Sequence, residues 1–380
     1  MTSFTDLGLS PALLKAVARA GYETPTPIQA QAIPHGLAGR DVLGIAQTGT
    51  GKTAAFALPI LTRLAATPRG PGAAPRALVL APTRELASQI AETFRTLGRD
   101  MGTRVALVFG GVPKARQSRA MQAGVDVVVA TPGRLIDHMQ DRAVRLDRVE
   151  ILVLDEADHM LDLGFIVPIR RILKDVPTVR QTMFFSATLS REIGELAGSM
   201  LRDPARVSVT PVATTVEKVD QSVIFVDQAH KRTILSLLLR QAGQGRTLVF
   251  TRTKHGADRV VKHLAEDGIE AQAIHGNKSQ PQREKALAAF RDGSTRVLIA
   301  TAIAARGIDV TGVTHVINFE LPNVPESYVH RIGRTARAGA SGQAISLCDS
   351  SERPFLRDIE KLIRQPIPAV QPPRPMARAA

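Results

Sequence analysis

The chain is poor in the features that mark secreted and membrane proteins. It has one cysteine among 380 residues, no tryptophan and two tyrosines. A single thiol cannot form an internal disulfide, so a disulfide-stapled scaffold is excluded and a reducing compartment such as the cytoplasm fits. The sequence also lacks an apolar run of about 18 residues, and residues 1–6 have neither the basic nor the apolar part of a signal peptide. We therefore predict neither a membrane span nor secretion.

Aromatic residues are also scarce, at 4% of the chain. Few rings are left on which bases could stack, as they do in RNA-recognition modules. Positive charge, by contrast, is in excess, because 49 lysines and arginines face 35 aspartates and glutamates and give a net charge of +14. This excess favours a polyanionic partner, with nucleic acid as the first candidate and an anionic membrane as the second. We expect any nucleic acid to be held mainly by its backbone.

Short apolar runs alternate with helix-compatible stretches from residue 40 onward, which predicts βαβ units and parallel sheets. The runs are Asp41–Ala46, Ala77–Ala81, Val105–Phe109, Val125–Ala130, Ile151–Leu154 and Thr182–Phe185, then Val223–Val226, Thr247–Phe250, Ala271–Ile274, Val297–Ala300, His315–Asn318 and Ala344–Leu347. Residues 210–215 contain a proline and have no helical period, so we interpret them as an interdomain linker. Cys348 directly follows the last run, which favours a core position for its thiol.

The sequence A-Q-T-G-T-G-K-T at Ala46–Thr53 follows the first apolar run and precedes a helix-compatible stretch. This context predicts a phosphate-binding loop, in which glycines let backbone N–H groups turn toward phosphate. Lys52 would reach the β and γ phosphates, and Thr53 would offer its hydroxyl to Mg²⁺. The generic motif begins with glycine where this chain has Ala46, and a chance match is the alternative interpretation. The residues predicted to bind the nucleotide here are Ala46, Gln47, Thr48, Gly49, Thr50, Gly51, Lys52 and Thr53.

The apolar run at Ile151–Leu154 ends in D-E-A-D, residues 155–158. Ligands bind beyond the carboxyl ends of strands in parallel sheets, so acids at this place can hold a hydrated Mg²⁺ and position a water. Taken alone, the tetrapeptide is equally compatible with a solvated turn. With a phosphate loop in the same domain, Asp155 is predicted to bind the metal, partly through water, and Glu156 to orient or deprotonate the attacking water. That the two motifs lie together is assumed from the fold class.

Further motifs follow in a fixed order: P-T-R-E-L-A at Pro82–Ala87, T-P-G-R at Thr131–Arg134, S-A-T at Ser186–Thr188 and H-R-I-G-R-T-A-R at His330–Arg337. Together with the phosphate loop and D-E-A-D they resemble the motifs of DEAD-box RNA helicases, most of all the bacterial RhlE type. The resemblance runs from Phe4 to about Pro368. It implies the α/β superfamily 2 core, with two RecA-like domains that each have a mostly parallel sheet flanked by helices. The predicted segments are a glutamine-motif region (1–30), a first domain (31–209), a linker (210–218), a second domain (219–368) and a disordered basic tail (369–380).

The resemblance also implies an activity and its partners. The expected protein is an RNA-dependent ATPase that unwinds short RNA duplexes or remodels RNA–protein complexes, driven by ATP-dependent closure of its two domains. ATP and Mg²⁺ are the expected cofactors. Single-stranded and duplex RNA are the expected partners, together with proteins of ribosome assembly or RNA degradation.

The segment Gly21–Gln29 resembles the family's glutamine motif. An amide can both donate to and accept from one edge of adenine, which implies recognition of ATP by Gln29. Either Tyr22 or Phe4 would pack on the base. Without the resemblance, Gln29 would be interpreted as a surface helix residue. The nucleotide-binding residues added by the resemblance are Phe4, Tyr22, Thr24, Gln29 and Asp309.

Other motifs carry hydroxyls, arginines and helix starts, which are groups that bind a phosphodiester backbone. Each motif alone could be an ordinary capped turn. The resemblance implies RNA contacts for Pro82, Thr83, Arg84, Gly111, Thr131, Pro132, Gly133, Arg134, Thr251, Arg252, Gln280, Arg283, Thr301 and Gly307. Many relatives have aspartate where this chain has Ala302, and the substitution affects the expected coupling between RNA and ATP.

The last motif places arginines at residues 331, 334 and 337, a spacing that predicts one face of a helix. The resemblance implies that Arg334 and Arg337 contact the γ-phosphate. It also implies interdomain coupling by Asp158, Ser186, Thr188 and His330. Two rival functions remain open: a DNA helicase of the same superfamily, and an ATP-gated RNA clamp for which turnover is unimportant.

Overall fold

The computed structural model describes residues 2–47, 49–67, 74–209, 219–301, 310, 312–336 and 341–373. The chain divides into two compact units, Met1–Thr210 and Pro211–Ala380. The predicted linker, 210–218, lies outside the described residues. No helix in the described part of the chain combines the length and the apolar character needed to cross a bilayer.

The first unit is built on a parallel sheet of seven strands in the order β3-β4-β2-β5-β6-β1-β7. The strands are Val42–Ile45 (β1), Ala77–Leu80 (β2), Val105–Val108 (β3), Val127–Ala130 (β4), Ile151–Leu154 (β5), Gln181–Ser186 (β6) and Ala205–Ser208 (β7). The helices are Pro11–Arg19 (α1), Pro27–Leu37 (α2), Lys52–Ala66 (α3), Arg84–Leu97 (α4), Lys114–Gln122 (α5), Pro132–Gln140 (α6), Ala157–Asp162 (α7), Ile166–Leu173 (α8) and Arg191–Met200 (α9), with 3-10 turns at Phe4–Leu7 and Arg99–Met101.

Helices cover both faces of this sheet. Successive side chains of a strand point to opposite faces, so Val153 joins one core cluster and Leu152 the other. The first cluster packs the sheet against α1–α4, and the second packs it against α5–α9. Burial on both faces explains why the central strands are continuous apolar runs. The predicted strands are therefore found, but β7 was missed, because it is an edge strand in which alternate residues are exposed.

The second unit has a parallel sheet of six strands in the order β10-β11-β9-β12-β13-β8. The strands are Val219–Phe225 (β8), Arg246–Thr251 (β9), Gln272–Ile274 (β10), Val297–Thr301 (β11), Val313–Asn318 (β12) and Gly342–Cys348 (β13). The helices are Lys231–Gln241 (α10), Lys254–Glu266 (α11), Gln280–Asp292 (α12), Pro325–Ile332 (α13) and Arg353–Ile363 (α14), with 3-10 turns at Gln228–His230 and Ser350–Glu352. Cys348 is buried at the end of β13, as predicted.

The predicted tail begins too early in the sequence. The Val223 N–H of β8 donates to the carbonyl of Pro368, and the Val370 N–H donates back to the carbonyl of Val223. These bonds form a parallel bridge between Val223 and Ala369. Ordered chain thus continues past residue 368, because the open edge of β8 supplies hydrogen-bond partners. The amino-acid composition of the tail does not predict this pairing. Residues 374–380 lie outside the described part.

Buried charges tie the second unit together at Glu352. This fully buried carboxylate pairs with the ammonium of Lys231 and the guanidinium of Arg252, and it accepts the Leu321 N–H at 3.1 Å. Lys231 is also buried and lies 3.0 Å from Asp349. Three separate segments, the start of α10, the end of β9 and the loop after β12, therefore meet on one carboxylate.

We expect Glu352→Ala to destabilise the second unit by about 3–5 kcal/mol, because the buried Lys231 ammonium loses one of the two acid partners that it has among the described residues and keeps Asp349. Urea unfolding followed by circular dichroism measures the loss. The control is Glu195→Ala, which removes an exposed pair with Arg191 and is expected to cost less than about 1 kcal/mol. Equal unfolding midpoints for the two variants would contradict this assignment.

Candidate nucleotide site and nucleic-acid interface

The sheet order brings the phosphate loop and the acidic motif to neighbouring strand ends. The loop follows β1 and the acids follow β5, and β6 pairs with both strands. At the usual strand spacing the two motifs are about 10 Å apart. The S-A-T motif, which begins at the last residue of β6, lies between them. The position assumed from the fold class is therefore confirmed.

The phosphate loop is held in shape by its own hydrogen bonds. Gly49 and Gly51 have φ of 83° and 91°, the left-handed region that favours glycine. The buried Lys52 donates from Nζ to the carbonyl oxygen of Ala46 at 2.8 Å, and Thr50 Oγ1 donates to the carbonyl of Gln47 at 2.7 Å. Thr48 lies outside the described residues. The described loop residues on either side of Thr48 therefore form a tight turn stabilised by these two hydrogen bonds.

Ala46 replaces the first glycine of the generic motif without visible strain. It is buried in the first core cluster, and its N–H donates to the carbonyl of Ser186 at 3.0 Å. That bond extends the pairing of β1 with β6 by one residue. The start of the loop is therefore anchored to the S-A-T motif.

Gln29 is buried and contacts the phosphate loop directly. Its Nε2 donates to the carbonyl of Gly51 at 3.1 Å, and its Oε1 accepts from the Thr26 N–H at 2.9 Å in a capping box that starts α2. The interpretation as a surface helix residue is wrong, since Gln29 is only 5% exposed. The amide nitrogen and the carbonyl oxygen each make one of these bonds, so one N–H and one lone pair of Oε1 are left for a further partner.

The two candidate aromatic rings lie against each other. Phe4 and Tyr22 are stacked, with ring centroids 6.4 Å apart and an interplanar angle of 24°. Phe4 is buried in the core, whereas Tyr22 is half-buried and Thr24 is exposed. Burial raises the pKa of the Tyr22 hydroxyl. Of the two rings, Tyr22 is the one open to a ligand, and Phe4 supports it from behind.

The acids at the end of β5 are not a solvated turn. Asp155, Glu156 and Asp158 are 2%, 5% and 7% exposed. Burial raises the pKa of Asp155 to about 6, an effect that the nearby Lys52 opposes. The Asp155 carboxylate and the hydroxyl of the partly exposed Thr53 are hard oxygen donors of the kind that Mg²⁺ prefers, so these two residues fit that ion.

Glu156 has an unusual backbone. Its φ and ψ are both 53°, the left-handed region that non-glycine residues rarely adopt, and it precedes the first residue of α7. Its Oε2 lies 3.4 Å from Nδ1 of His159, one helical turn on. Strain of this kind is found at functional sites, where the surrounding structure holds a side chain in place. The contact with His159 was missed, although its i, i+3 spacing was visible in the sequence.

Asp158 joins the acidic turn to the S-A-T motif. Its Oδ2 accepts from the N–H groups of Ala187 and Thr188 and from the Thr188 hydroxyl, at 3.1–3.2 Å. Ser186 is fully buried at the end of β6. A movement of the acidic turn would therefore displace the S-A-T motif, and the reverse. Their link to the second domain stays a prediction.

The candidate RNA residues of the first unit lie on the other half of the same strand-end edge, after β2, β4 and β3. Thr83 caps α4 by accepting the Leu86 N–H, and Thr131 precedes α6. We call residues 110–112 the glycine loop. The guanidinium of Arg84 lies so close to Gly111 that a Cβ atom there would overlap it, and Arg134 Nη1 donates to the carbonyl of Val112 at 3.0 Å. Pro82 and Pro132 are buried, and Gly133 is exposed.

In the second unit, Thr251 and Thr301 are register partners at the ends of β9 and β11. Gln280 and Arg283 are buried at the start of α12, where Gln280 Nε2 donates to Glu284 at 3.0 Å. The guanidinium of Arg252 faces Glu352 and lies 5.6 Å from the Phe355 ring centre. Gly307 and Asp309 lie outside the described residues, as does Ala302.

The prediction that the arginines of the last motif share one helix face is wrong. Helix α13 ends at Ile332, and Arg334 lies in the turn beyond Gly333, since glycine is a poor helix former. Arg334 is buried and its Nε donates to the carbonyl of His330, which is half-buried, at 3.3 Å. Arg331 is a structural residue that sequence reasoning did not assign: its Nη1 donates to Asn318 and to the Glu320 carbonyl. Arg337 lies outside the described residues.

Comparison with known proteins identifies the family. The DEAD/DEAH box helicase family matches residues 26–196, and the helicase conserved C-terminal domain matches residues 229–339. The DEAD-box ATP-dependent RNA helicase CshA of Bacillus subtilis is 43% identical over 371 residues, which are 98% of this chain and 74% of that protein. CshA of Bacillus licheniformis is 44% identical over 371 residues, 98% of this chain and 75% of that protein.

Solved structures agree in fold. The structure of S. cerevisiae Dbp5 bound to RNA and ADP BeF3 matches with a TM-score of 0.87 at 32% identity, and the match covers 98% of this chain and 96% of that chain. A DEAD box protein from the hyperthermophile Methanococcus jannaschii matches with a TM-score of 0.55 at 36% identity, over 97% of this chain and 99% of that one. The predicted fold of two RecA-like domains is confirmed, and the chain belongs to the DEAD-box ATP-dependent RNA helicase family.

Proposed function

We propose that this chain is an RNA-dependent ATPase that separates short RNA duplexes or remodels RNA–protein complexes. The proposal rests on the arrangement of motifs along one edge of the first unit's sheet, where the nucleotide motifs lie beside the candidate RNA residues. The phosphate loop and acids follow β1 and β5, and the candidate RNA residues follow β2, β4 and β3, with β5 and β2 paired directly. A change at the nucleotide can thus reach the RNA side through adjacent strands.

In the proposed reaction, Lys52 and the loop N–H groups bind the phosphates of ATP, and Gln29 and Tyr22 bind adenine, with Thr24 and Phe4 in support. Glu156 orients the attacking water and accepts its proton. Asp155 and Thr53 would hold Mg²⁺, which neutralises phosphate charge when bound. Closure of the second domain would bring Arg334 and Arg337 to the γ-phosphate and Asp309 to the ribose.

RNA would be held by its backbone from both domains. The hydroxyls of Thr83, Thr131, Thr251 and Thr301, the arginines and the exposed glycines are groups that bind phosphate and sugar without reading bases. A grip on one strand favours a bent strand that a duplex cannot adopt, so strand separation would be local. Asp158, Ser186, Thr188 and His330 would couple this grip to the nucleotide, with the effect of Ala302 still to be measured.

The test is the ATPase rate of the full chain with single-stranded RNA, with DNA of matched sequence, and without nucleic acid. We expect Mg²⁺-dependent stimulation by RNA only. Equal ATPase rates in all three conditions would refute the proposed RNA-dependent function. Equal stimulation by RNA and DNA would favour a DNA helicase. Rescue of a deletion strain by the Glu156→Gln form would favour the RNA clamp.

The finer assignments are also proposals. The RhlE type is supported by the sequence resemblance alone, whereas the two relatives compared above are named CshA. Rescue of a strain lacking RhlE, but not of one lacking CshA, would support the RhlE type.

Cytoplasmic location is supported by the cysteine usage. A role with ribosome-assembly or RNA-degradation proteins is testable by affinity purification with and without ribonuclease. The boundaries 31–209 and 219–368 predict proteolytic cleavage within 210–218.

A further inference from the structure

A chain of buried hydrogen bonds runs from α6 through α5 to the glycine loop. Gln117 of α5 donates from Nε2 to the carbonyl oxygen of Phe109, the residue before the loop, at 2.9 Å. Its Oε1 lies 3.1 Å from Nε2 of His138 on α6. Nδ1 of His138 lies 3.3 Å from the Ser118 hydroxyl. His138 is completely buried, and Gln117 is 7% exposed.

The direction of these bonds follows from chemistry. The Phe109 carbonyl can only accept, so the Gln117 NH₂ group must face it and Oε1 must face His138. Nε2 of His138 must therefore carry a proton. The Ser118 hydroxyl lies 3.3 Å from Nδ1 of His138 and 3.4 Å from the carbonyl oxygen of Lys114, and its one hydrogen serves one of these acceptors at a time. Burial lowers the pKa of His138, and the charges of Lys114 and Arg134 lower it further. The neutral ring is thus the stable form at physiological pH.

The glycine loop is held at both ends by side chains from these helices. Gln117 fixes the carbonyl of Phe109, and Arg134 fixes the carbonyl of Val112. Between them Gly111 adopts a left-handed φ of 81°. A loop fixed in advance loses less conformational freedom when it binds a polyanion, so its affinity is higher than that of a loose loop of the same sequence.

We propose that Gln117 and His138 are positioning residues that hold the glycine loop in the conformation that grips an RNA backbone. The proposal rests on the proposed function, because only there is Gly111 an RNA contact. Both side chains are buried and act through the carbonyl of Phe109. His138 specifically satisfies Gln117 Oε1, which would otherwise be a buried acceptor lacking its donor.

The test compares Gln117→Leu and His138→Leu with Gln181→Leu. Gln181 is an equally buried glutamine whose Nε2 donates to the carbonyls of Gly36 and Arg40, at the amino end of β6 and hence at the opposite edge of the sheet. The full-length variants are titrated with fluorescent single-stranded oligouridine in the presence of Mg²⁺ and ADP–beryllium fluoride. Unstimulated ATP turnover, KM for ATP and Tm are measured in parallel.

We expect Gln117→Leu and His138→Leu each to bind oligouridine about fivefold to tenfold more weakly than the wild type, with KM for ATP and unstimulated ATP turnover unchanged. The double variant should be no weaker than the single ones, because the two residues act as a unit. His138→Gln should restore binding, since its amide can donate to Gln117. The Gln181→Leu control should lower Tm but leave RNA affinity unchanged.

The proposal is overturned if folded Gln117→Leu and His138→Leu bind oligouridine as tightly as Gln181→Leu does. It is also overturned if these variants lose RNA affinity and ATP affinity equally, because equal losses indicate general destabilisation. If His138→Leu does not fold, wild-type affinity in Gln117→Leu alone decides against it. A wild-type chain that fails to bind oligouridine would instead refute the proposed function.

Discussion

Replacing Glu156 by glutamine is expected to lower RNA-stimulated ATP turnover by about 10²- to 10⁴-fold, the range that general base catalysis contributes. The amide has nearly the shape of the carboxylate and tolerates the same left-handed backbone, but it cannot take a proton from water. The phosphate loop, Lys52 and the Asp158–Thr188 contact are untouched. Binding of ATP and of RNA should therefore be retained.

The matched control for this prediction lies at the other end of the same strand. Glu150 precedes β5 at the edge of the sheet opposite to Glu156, and its Oε1 accepts from Arg76 Nε at 2.6 Å. Glu150→Gln makes the same chemical change and is expected to leave turnover near wild type. Single-turnover ATP hydrolysis with saturating RNA compares the two. Turnover in Glu156→Gln within a few-fold of Glu150→Gln would exclude Glu156 as the base.

Local patterns were enough to locate the nucleotide motifs. Buried parallel strands are short apolar runs, and a phosphate loop needs glycines at left-handed positions, so β1, β5 and Gly51 could all be found from a few neighbouring residues. The burial of Gln29 depended on something else. Its contact with Gly51 joins residues 22 positions apart, and no pattern within α2 announces it.

The order of the strands in the sheet determines which motifs lie side by side, and no single segment of the sequence predicts that order. That β6 lies between β1 and β5, and that β2 pairs with β5, follows from how the helices cross over the sheet. Arg252 and Arg331 show the same limit from another side. Both are arginines in recognised motifs, yet their guanidinium groups contact Glu352 and Asn318, partners from distant segments that the sequence does not link to them.

We expect Gly51→Ala to weaken ATP binding by about 10²-fold. The left-handed φ of 91° would cost a Cβ-bearing residue about 1–2 kcal/mol. A Cβ atom would also lie 2.5 Å from Nε2 of Gln29 and 3.0 Å from Oγ1 of Thr26. Gln29 must then move, and losing its bond to the loop adds about 1 kcal/mol. The free loop is expected to relax away from this strain, so restoring its binding conformation costs the sum, about 2–3 kcal/mol, which corresponds to about a 30- to 150-fold rise in Kd.

A second glycine separates strain from collision in this prediction. Gly164 has a φ of 73°, and a Cβ atom there would meet no atom of the described residues within 4 Å. Gly164→Ala therefore carries the same backbone cost, with an expected loss of about 1–2 kcal/mol in stability and unchanged ATP affinity. Equilibrium titration with a fluorescent ATP analogue compares the two. If Gly51→Ala binds the analogue as tightly as Gly164→Ala does, the contact between Gln29 and the phosphate loop is not part of nucleotide binding. If the double variant Gly51→Ala, Gln29→Ala regains part of the lost affinity, the collision with the Gln29 side chain is the cause of the loss.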